Sequence, residues 1–259
     1  MQFMETIKSA QNSRVKTWQK LQTKKGRQTT QTYLLDGWHL VQEAIENNGR
    51  LRALIGTAEQ LSAHADDIPH GVPVFEITAD IAKKLSDLVT PQGIFAEVSL
   101  PTSNREPQYI HEGAWLFLDG IQDPGNVGTM VRTADAAGFT GVVFGEGSVD
   151  PYSPKAVRAM QGSQFHLELA SGDLVNWTRT FQDNGLNVYG TKLDTDAADL
   201  FGMTPEQNFA LIMGNEGQGM QDAVAEATTQ NLYIPLSGHA ESLNVGVAAG
   251  VAMFALKSR

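Results

Sequence analysis

From Trp115 to Leu256 the chain alternates between short apolar runs and helical patterns. That alternation constrains its folding more than any other feature. The apolar runs are Trp115–Leu118, Gly141–Phe144, Asn187–Tyr189, Phe209–Met213 and Leu232–Ile234, separated by helical patterns. Strands joined by crossover helices pair in parallel, and a parallel sheet needs helices on both faces to keep it from water. The expectation is an α/β domain with a mostly parallel sheet and helices on both faces. Ser153-Pro154 reads as a helix start, an N-cap residue followed by proline at the first helical position. Open sheets of this kind bind ligands outside the carboxyl ends of their strands, so the strand-to-helix loops are where function is expected.

The first hundred residues read differently. Thr6 to Lys25 has the pattern of a basic helix, with Gly26 as its stop. Thr32–Gly37 reads as a strand ending in a turn. Trp38–Asn47 reads as a helix, with Leu40, Val41 and Ile45 at helical spacing. Leu51–Ile55, Val72–Ile77 and Gly93–Val98 read as strands, and Ile81–Leu88 as a short helix. The polar, proline-bearing stretch Pro101–Pro107 has linker composition. The expected organisation is a basic helical arm over 1–30, a small N-terminal α/β domain over 31–106, and the larger α/β domain over 107–259.

Composition excludes several classes. Without cysteine there is no disulfide, thiol nucleophile or thiolate metal site. The six histidines are scattered, with no metal-ligand spacing. No apolar run reaches the ~18 residues that cross a bilayer, and the N-terminus lacks the pattern of a secretory signal. A cytoplasmic protein with no metal and no membrane association is expected. The net charge of −10 argues against non-specific adhesion to nucleic acid. Yet residues 1–30 carry seven basic side chains against Glu5 alone. Such a segment can contact phosphates locally, or it can be an ordinary solvated helix face.

Three loops carry the chemistry. The first, Leu118 to Ala134, runs from a strand through Gly120, Pro124 and Gly125 into a helix starting near Asn126, which can cap it; Arg132 lies within that helix. The second, Phe209 to Met220, is a buried strand ending in Gly214-Asn215-Glu216-Gly217-Gln218-Gly219. The third, Leu232 to Ala252, passes through Ile234-Pro235-Leu236 to Ser242, placed as an N-cap, and then to a helix of small residues. None has the spacing of a dinucleotide fingerprint or a phosphate-binding P-loop, which disfavours a dinucleotide oxidoreductase. Each alone is also what an ordinary strand–loop–helix connection looks like.

Taken in order, Asn126-x-Gly128-x-x-x-Arg132, then Met213-Gly214-Asn215-Glu216-Gly217, then Ile234-Pro235-Leu236 with Ser242-Leu243-Asn244-Val245, resemble the three motifs of the SpoU/TrmH family. These are RNA ribose 2′-O-methyltransferases of the SPOUT class. Residues Leu34–Ile45 resemble the family's small substrate-binding domain more weakly. Asp150–Phe165, with Lys155, Arg158 and Gly162, resembles its intervening helix and turn. Gly246 stands where many relatives carry serine, and Asp36 where they often carry glutamate.

The resemblance implies a C-terminal trefoil knot, a feature that patterning cannot give. It implies S-adenosyl-L-methionine as cofactor, bound by positions matching Thr191, Met213, Gly214, Ile234, Leu236 and Leu243. It implies catalytic roles for Arg132, Asn126, Glu216, Ser242 and Asn244, a homodimer with the active site completed at the interface, and an RNA partner. The small-residue helix Gly246–Ala252 is the candidate for part of that interface. The separate N-terminal domain resembles that of the ribosomal members, so 23S ribosomal RNA is the expected substrate. Transfer RNA, or a non-catalytic RNA-binding or assembly role on the same fold, are the alternatives. The family's arginine has been assigned as a base. An arginine is a poor base because its pKa exceeds about 12, so Arg132 is expected instead to clamp a phosphate through its two-pronged guanidinium.

Overall fold

The computed structural model describes residues 4–101, 106–192 and 195–258. Met1–Phe3 of the expected arm and positions 102–105 of the expected linker lie outside the described residues. The chain divides into two compact units. One holds the described residues up to 101 together with Tyr152–Phe165, and the other holds 106–151 and 166–258.

The smaller unit begins with β1 (Met4–Ile7), α1 (Ser13–Lys20), α2 (Lys24–Thr30), β2 (Thr32–Asp36) and α3 (Trp38–Glu46). It continues through β3 (Leu51–Gly56), α4 (Ala58–Ala63), β4 (Val74–Ile77), α5 (Ala79–Leu85) and β5 (Ile94–Ser99). The five strands order as β1-β4-β3-β5-β2, with β5 antiparallel to both its neighbours.

The sequence expectation of a basic arm over 1–30 is corrected here. Met4–Ile7 is an edge strand paired in parallel with β4. Val15, Trp18 and Leu21 are buried in the same core as Phe75, Ile81 and Phe95. Burying apolar side chains of this size contributes about 1.5–3 kcal/mol each, enough to fix the segment to the sheet. Gly26 is no stop: it lies inside α2, where an added Cβ would sit 1.9 Å from the Lys20 carbonyl oxygen. Arg27 is buried and donates to the Leu21 carbonyl at 2.7 Å. Arg14 lies over the Phe75 ring at 4.6 Å. Lys8, Lys16, Lys20, Lys24 and Lys25 stay exposed.

The larger unit contains β6 (Ala114–Asp119), α6 (Pro124–Ala136) and β7 (Gly141–Phe144). Next in the chain is α7 (Pro154–Met160), which belongs to the smaller unit. Ser153 caps α7 through the Ala156 N–H, and Arg158 makes a two-pronged pair with Asp87, with Nη2 to Oδ2 at 2.8 Å. Hydrogen bonding from Arg158 holds the Asp87 carboxyl below the usual carboxylate range, while burial pushes Asp36 up. The larger unit resumes with β8 (Glu168–Ser171), α8 (Leu174–Asp183), β9 (Asn187–Thr191), β10 (Ala198–Asp199), β11 (Phe209–Gly214), α9 (Asp222–Ala227), β12 (Gln230–Tyr233) and α10 (Val245–Leu256).

Its seven strands are all parallel, in the order β10-β12-β9-β11-β6-β7-β8. Every residue of β6, β7 and β11 is buried, as expected for a sheet covered on both faces. On one face Trp115, Phe117, Val143 and Ile212 pack with Trp177 and Phe181 of α8 and with Val224 of α9. The other face is covered by α6 and α10, which pack on each other. Gly246 and Gly250 of α10 lie against Thr129 and Thr133 of α6, so the small residues serve a close helix contact within this chain. Among the described residues no helix is long and apolar enough to cross a membrane.

Candidate active site

Three loops meet at the carboxyl ends of β6 and β11. In the first, Asp123 accepts from the Asn126 N–H at 2.8 Å and Pro124 occupies the first turn of α6. Asp123, not Asn126, is therefore the cap. That correction releases the Asn126 side chain for other work.

In the second loop every residue of Gly214-Asn215-Glu216 has a distinct task. Gly214 ends β11 where an added Cβ would lie 2.3 Å from the Met220 backbone nitrogen. Asn215 and Gly219 exchange backbone hydrogen bonds of 2.9 Å, closing a tight turn. The Asn215 side chain accepts from the Gly217 and Gln218 N–H groups and donates to the Gly120 carbonyl at 2.6 Å, joining the two loops. Glu216 is left pointing outward, where its Oε1 accepts from Asn126 Nδ2 at 3.0 Å.

In the third loop the cap of α10 is Asn244, not Ser242 as the sequence suggested. Asn244 Oδ1 accepts from the N–H groups of Gly246 and Val247 at 2.9 and 3.3 Å. Its Nδ2 donates to Asn126 Oδ1 at 3.1 Å. A hydrogen-bonded chain therefore runs from the α10 N-terminus through Asn244 and Asn126 to Glu216. A carboxylate only accepts and helix N–H groups only donate, so the two ends fix both amide orientations. Cutting the chain at two adjacent links should have overlapping consequences. Asn126→Ala and Glu216→Ala, combined, are expected to lose less turnover than their separate losses imply. A coupling of about 0.5–3 kcal/mol is expected from the double-mutant cycle, and strict additivity would show that the residues act independently.

Arg132 is exposed on α6, six residues beyond Asn126, with no hydrogen bond or ion pair among the described residues. Its guanidinium is free to meet a ligand.

Beside this chain lies a cavity of about 250 Å³ lined by Thr191, Ile234, Leu236, Ser242 and Leu243. Four of the six residues matched to the cofactor thus share one cavity, joined by Ser242, one of the expected catalytic residues. Met213 and Gly214 are buried at the end of β11 and do not line it. Lys192, Leu211, Tyr233 and Glu241 are also in the wall, and sequence reading did not single them out. The Thr191 hydroxyl donates to the Ile212 carbonyl at 2.9 Å, so it is spent on joining β9 to β11. Tyr189 of the same strand donates to Glu206, and burial pushes its hydroxyl above the ordinary range.

Comparison with known proteins adds to this geometry. Residues 113–254 match the model of the SpoU rRNA Methylase family, and residues 12–96 match that of an MRM3-like substrate binding domain. The chain belongs to the SpoU family. It is 39% identical to the 23S rRNA (guanosine(2553)-2′-O)-methyltransferase RlmP of Bacillus subtilis, over 98% of this chain and 100% of that one. The fold is that of a putative TrmH-family RNA methyltransferase from Porphyromonas gingivalis, with a TM-score of 0.86, 34% identity, and 96% and 99% of the two chains covered. An AdoMet-bound rRNA methyltransferase from Sinorhizobium meliloti superposes with a TM-score of 0.86 at 29% identity, over 98% of this chain and 97% of that one.

Proposed function

We propose that this protein transfers a methyl group from S-adenosylmethionine to a ribose 2′-hydroxyl of 23S ribosomal RNA. The observation that carries the reading is the Glu216–Asn126–Asn244 chain, assembled from three separate loops next to an apolar cavity. The relative from Bacillus subtilis, named for that reaction and similar over nearly the whole chain, supports the substrate.

The cavity suits the cofactor. Leu211, Leu232, Ile234, Leu236 and Leu243 offer an apolar surface for an adenine ring, and the polar Lys192, Glu241 and Ser242 share the lining. The bound cofactor supplies a methyl group on a sulfonium. The apolar residues would hold the ring and exclude water. Positioning alone can supply much of the rate, with effective molarities of about 10⁵–10⁸ M in well-oriented systems. Arg132 would grip the phosphate beside the target ribose through two parallel N–H groups. The ribose hydroxyl must also lose its proton. Glu216 is the one anion among the five candidate catalytic residues, and Asn126 holds its Oε1, leaving Oε2 to receive that proton.

The reading includes a dimer and a knotted backbone. Val247 and Phe254, 52% and 61% exposed, lie along the outer side of α10. Apolar side chains aligned on an exposed helix mark an association surface. Phe254→Asp is expected to convert a dimer into a monomer by light scattering at micromolar concentration; a wild-type monomer would refute the dimer. The knot is supported by the strand order, in which β12 lies outside β9 while α10, next in the chain, returns to pack on α6.

The deciding experiment maps 2′-O-methylation on total RNA from cells with and without the gene. Loss of one 23S position is the expected result. Loss in transfer RNA alone would move the substrate. No change, together with no heat on titrating S-adenosylmethionine, would leave a non-catalytic RNA-binding role.

A further inference from the structure

A second cavity lies at the carboxyl ends of β6, β7 and β11. It measures about 450 Å³ and is lined chiefly by Asp119, Gln122, Glu146, Asn215, Gln218 and Gln221. Its place in the topology is informative. β6 and β11 are neighbours, yet the chain leaves β6 through α6 onto one face and β11 through α9 onto the other. The loops after such a strand pair splay apart, and the crevice between them is where open parallel sheets bind ligands. The volume falls within the roughly 300–1,000 Å³ of small-molecule sites.

The floor of this cavity is spent on itself. The buried Asp119 carboxylate accepts from the Gln221 backbone N–H at 2.7 Å and from its side-chain amide at 2.6 Å. Asn215 is committed to Gly120, Gly217 and Gln218. The rim is different. Glu146, Gln122 and Gln218 are exposed and make no side-chain hydrogen bond among the described residues. Glu146 nonetheless sits on a pinned turn. Gly145 N–H donates to the Leu118 carbonyl at 2.9 Å, and Ser148 Oγ donates to the same carbonyl while accepting from Ile121 N–H. The 215–219 turn that supplies Gln218 also carries Glu216, so this cavity and the candidate proton acceptor share one rigid loop.

We infer that this cavity receives the base of the target nucleotide and prefers guanine, an inference that rests on the methyl-transfer reading above. Sequence-specific RNA recognition targets unstacked, single-stranded bases and hydrogen-bonds them on their Watson–Crick edges. The guanine edge presents N1–H and the 2-amino group side by side, a two-donor fork that a carboxylate such as Glu146 accepts. Its O6 then meets an amide N–H from Gln122 or Gln218. Adenine and cytosine each offer an amino group beside an acceptor, and uracil offers a single N–H between two acceptors. The Glu146 carboxylate on the rim disfavours a phosphate there, so the cavity suits an uncharged base.

The test uses the full chain and an RNA fragment around the mapped nucleotide, made with guanosine or inosine at the target. Inosine lacks only the 2-amino group. For the wild type, inosine is expected to lower kcat/KM about tenfold. Glu146→Gln is expected to lower the guanosine rate to a similar level and to erase the difference between the two RNAs. The heat of S-adenosylmethionine binding should not change. Gln122→Ala, read the same way, should lower both rates without erasing the difference. A mapped target that is not guanosine overturns the proposal, as does a Glu146→Gln variant that still discriminates inosine from guanosine. If the wild type methylates no RNA, the methyl-transfer reading itself fails. If it methylates both RNAs equally, only the base pocket does.

Discussion

Arg132→Lys is expected to lose about 10²–10³ in methyl-transfer rate, the loss typical of removing one electrostatic stabiliser from an active site. Cofactor affinity and stability should hardly move. The side chain is exposed and makes no hydrogen bond or ion pair among the described residues, so folding does not depend on it. Surface substitutions of that kind stay within about 0.5 kcal/mol. Lysine keeps the charge but replaces a planar fork with a point charge, so the substitution isolates two-pronged phosphate binding from simple attraction. Single-turnover rates with saturating RNA, beside calorimetry of S-adenosylmethionine, make the comparison. A variant turning over near the wild-type rate would eliminate the clamp. Arg132→Ala should be no better than the lysine variant, because it loses both fork and charge.

Gly214→Ala should damage both fold and site. A Cβ there would sit 2.3 Å from Met220 N and 2.5 Å from Gly219 C, both backbone atoms of the turn. No side-chain rotation relieves that clash, so the 215–219 turn must move away from β11. Overpacking of this kind costs about 1–3 kcal/mol, or roughly 2–4 °C of melting temperature per kcal/mol in a domain of this size. The larger consequence is local. Asn215 would lose its bond to Gly120, and Glu216 would leave Asn126. Turnover should fall by more than the stability loss explains, measured well below the melting transition. Gly217→Ala is the control. Its Cβ would meet only Asn215 Oδ1, at an ordinary 3.6 Å, so near-normal activity is expected. Equal losses in the two variants would mean that the turn is not rigid.

Much of the fold could be read directly. Gly141–Phe144 is a strand over the span its apolar run marks, and Phe209–Met213 is extended in the structure by Gly214 alone. Such runs are legible because a strand buried on both faces must be apolar throughout. Met4–Ile7 was not legible as a strand. It is a short edge element in which only Ile7 is buried. Its basic neighbours hid the apolar stripe Val15–Trp18–Leu21 that fastens the segment to the sheet. The caps show the same limit at finer scale. Asp123 and Asn126, like Ser242 and Asn244, are cap-forming residues close together, and only hydrogen-bond geometry shows which one caps.

The sequence by itself determined the strand-and-helix alternation, the three loops and the order in which they identify the family. These follow from local rules: burial periodicity, cap chemistry and the need for glycine where backbones approach. Only the tertiary structure decided that α7, inserted between β7 and β8, packs with the other unit. It alone decided that Asn126 links Glu216 to Asn244 across separations of 90 and 118 residues. It also gathered Lys192, Leu211, Tyr233 and Glu241 around one cavity and left Glu146 on the rim of another. Those pairings depend on which strand lies beside which, and no local propensity encodes that order.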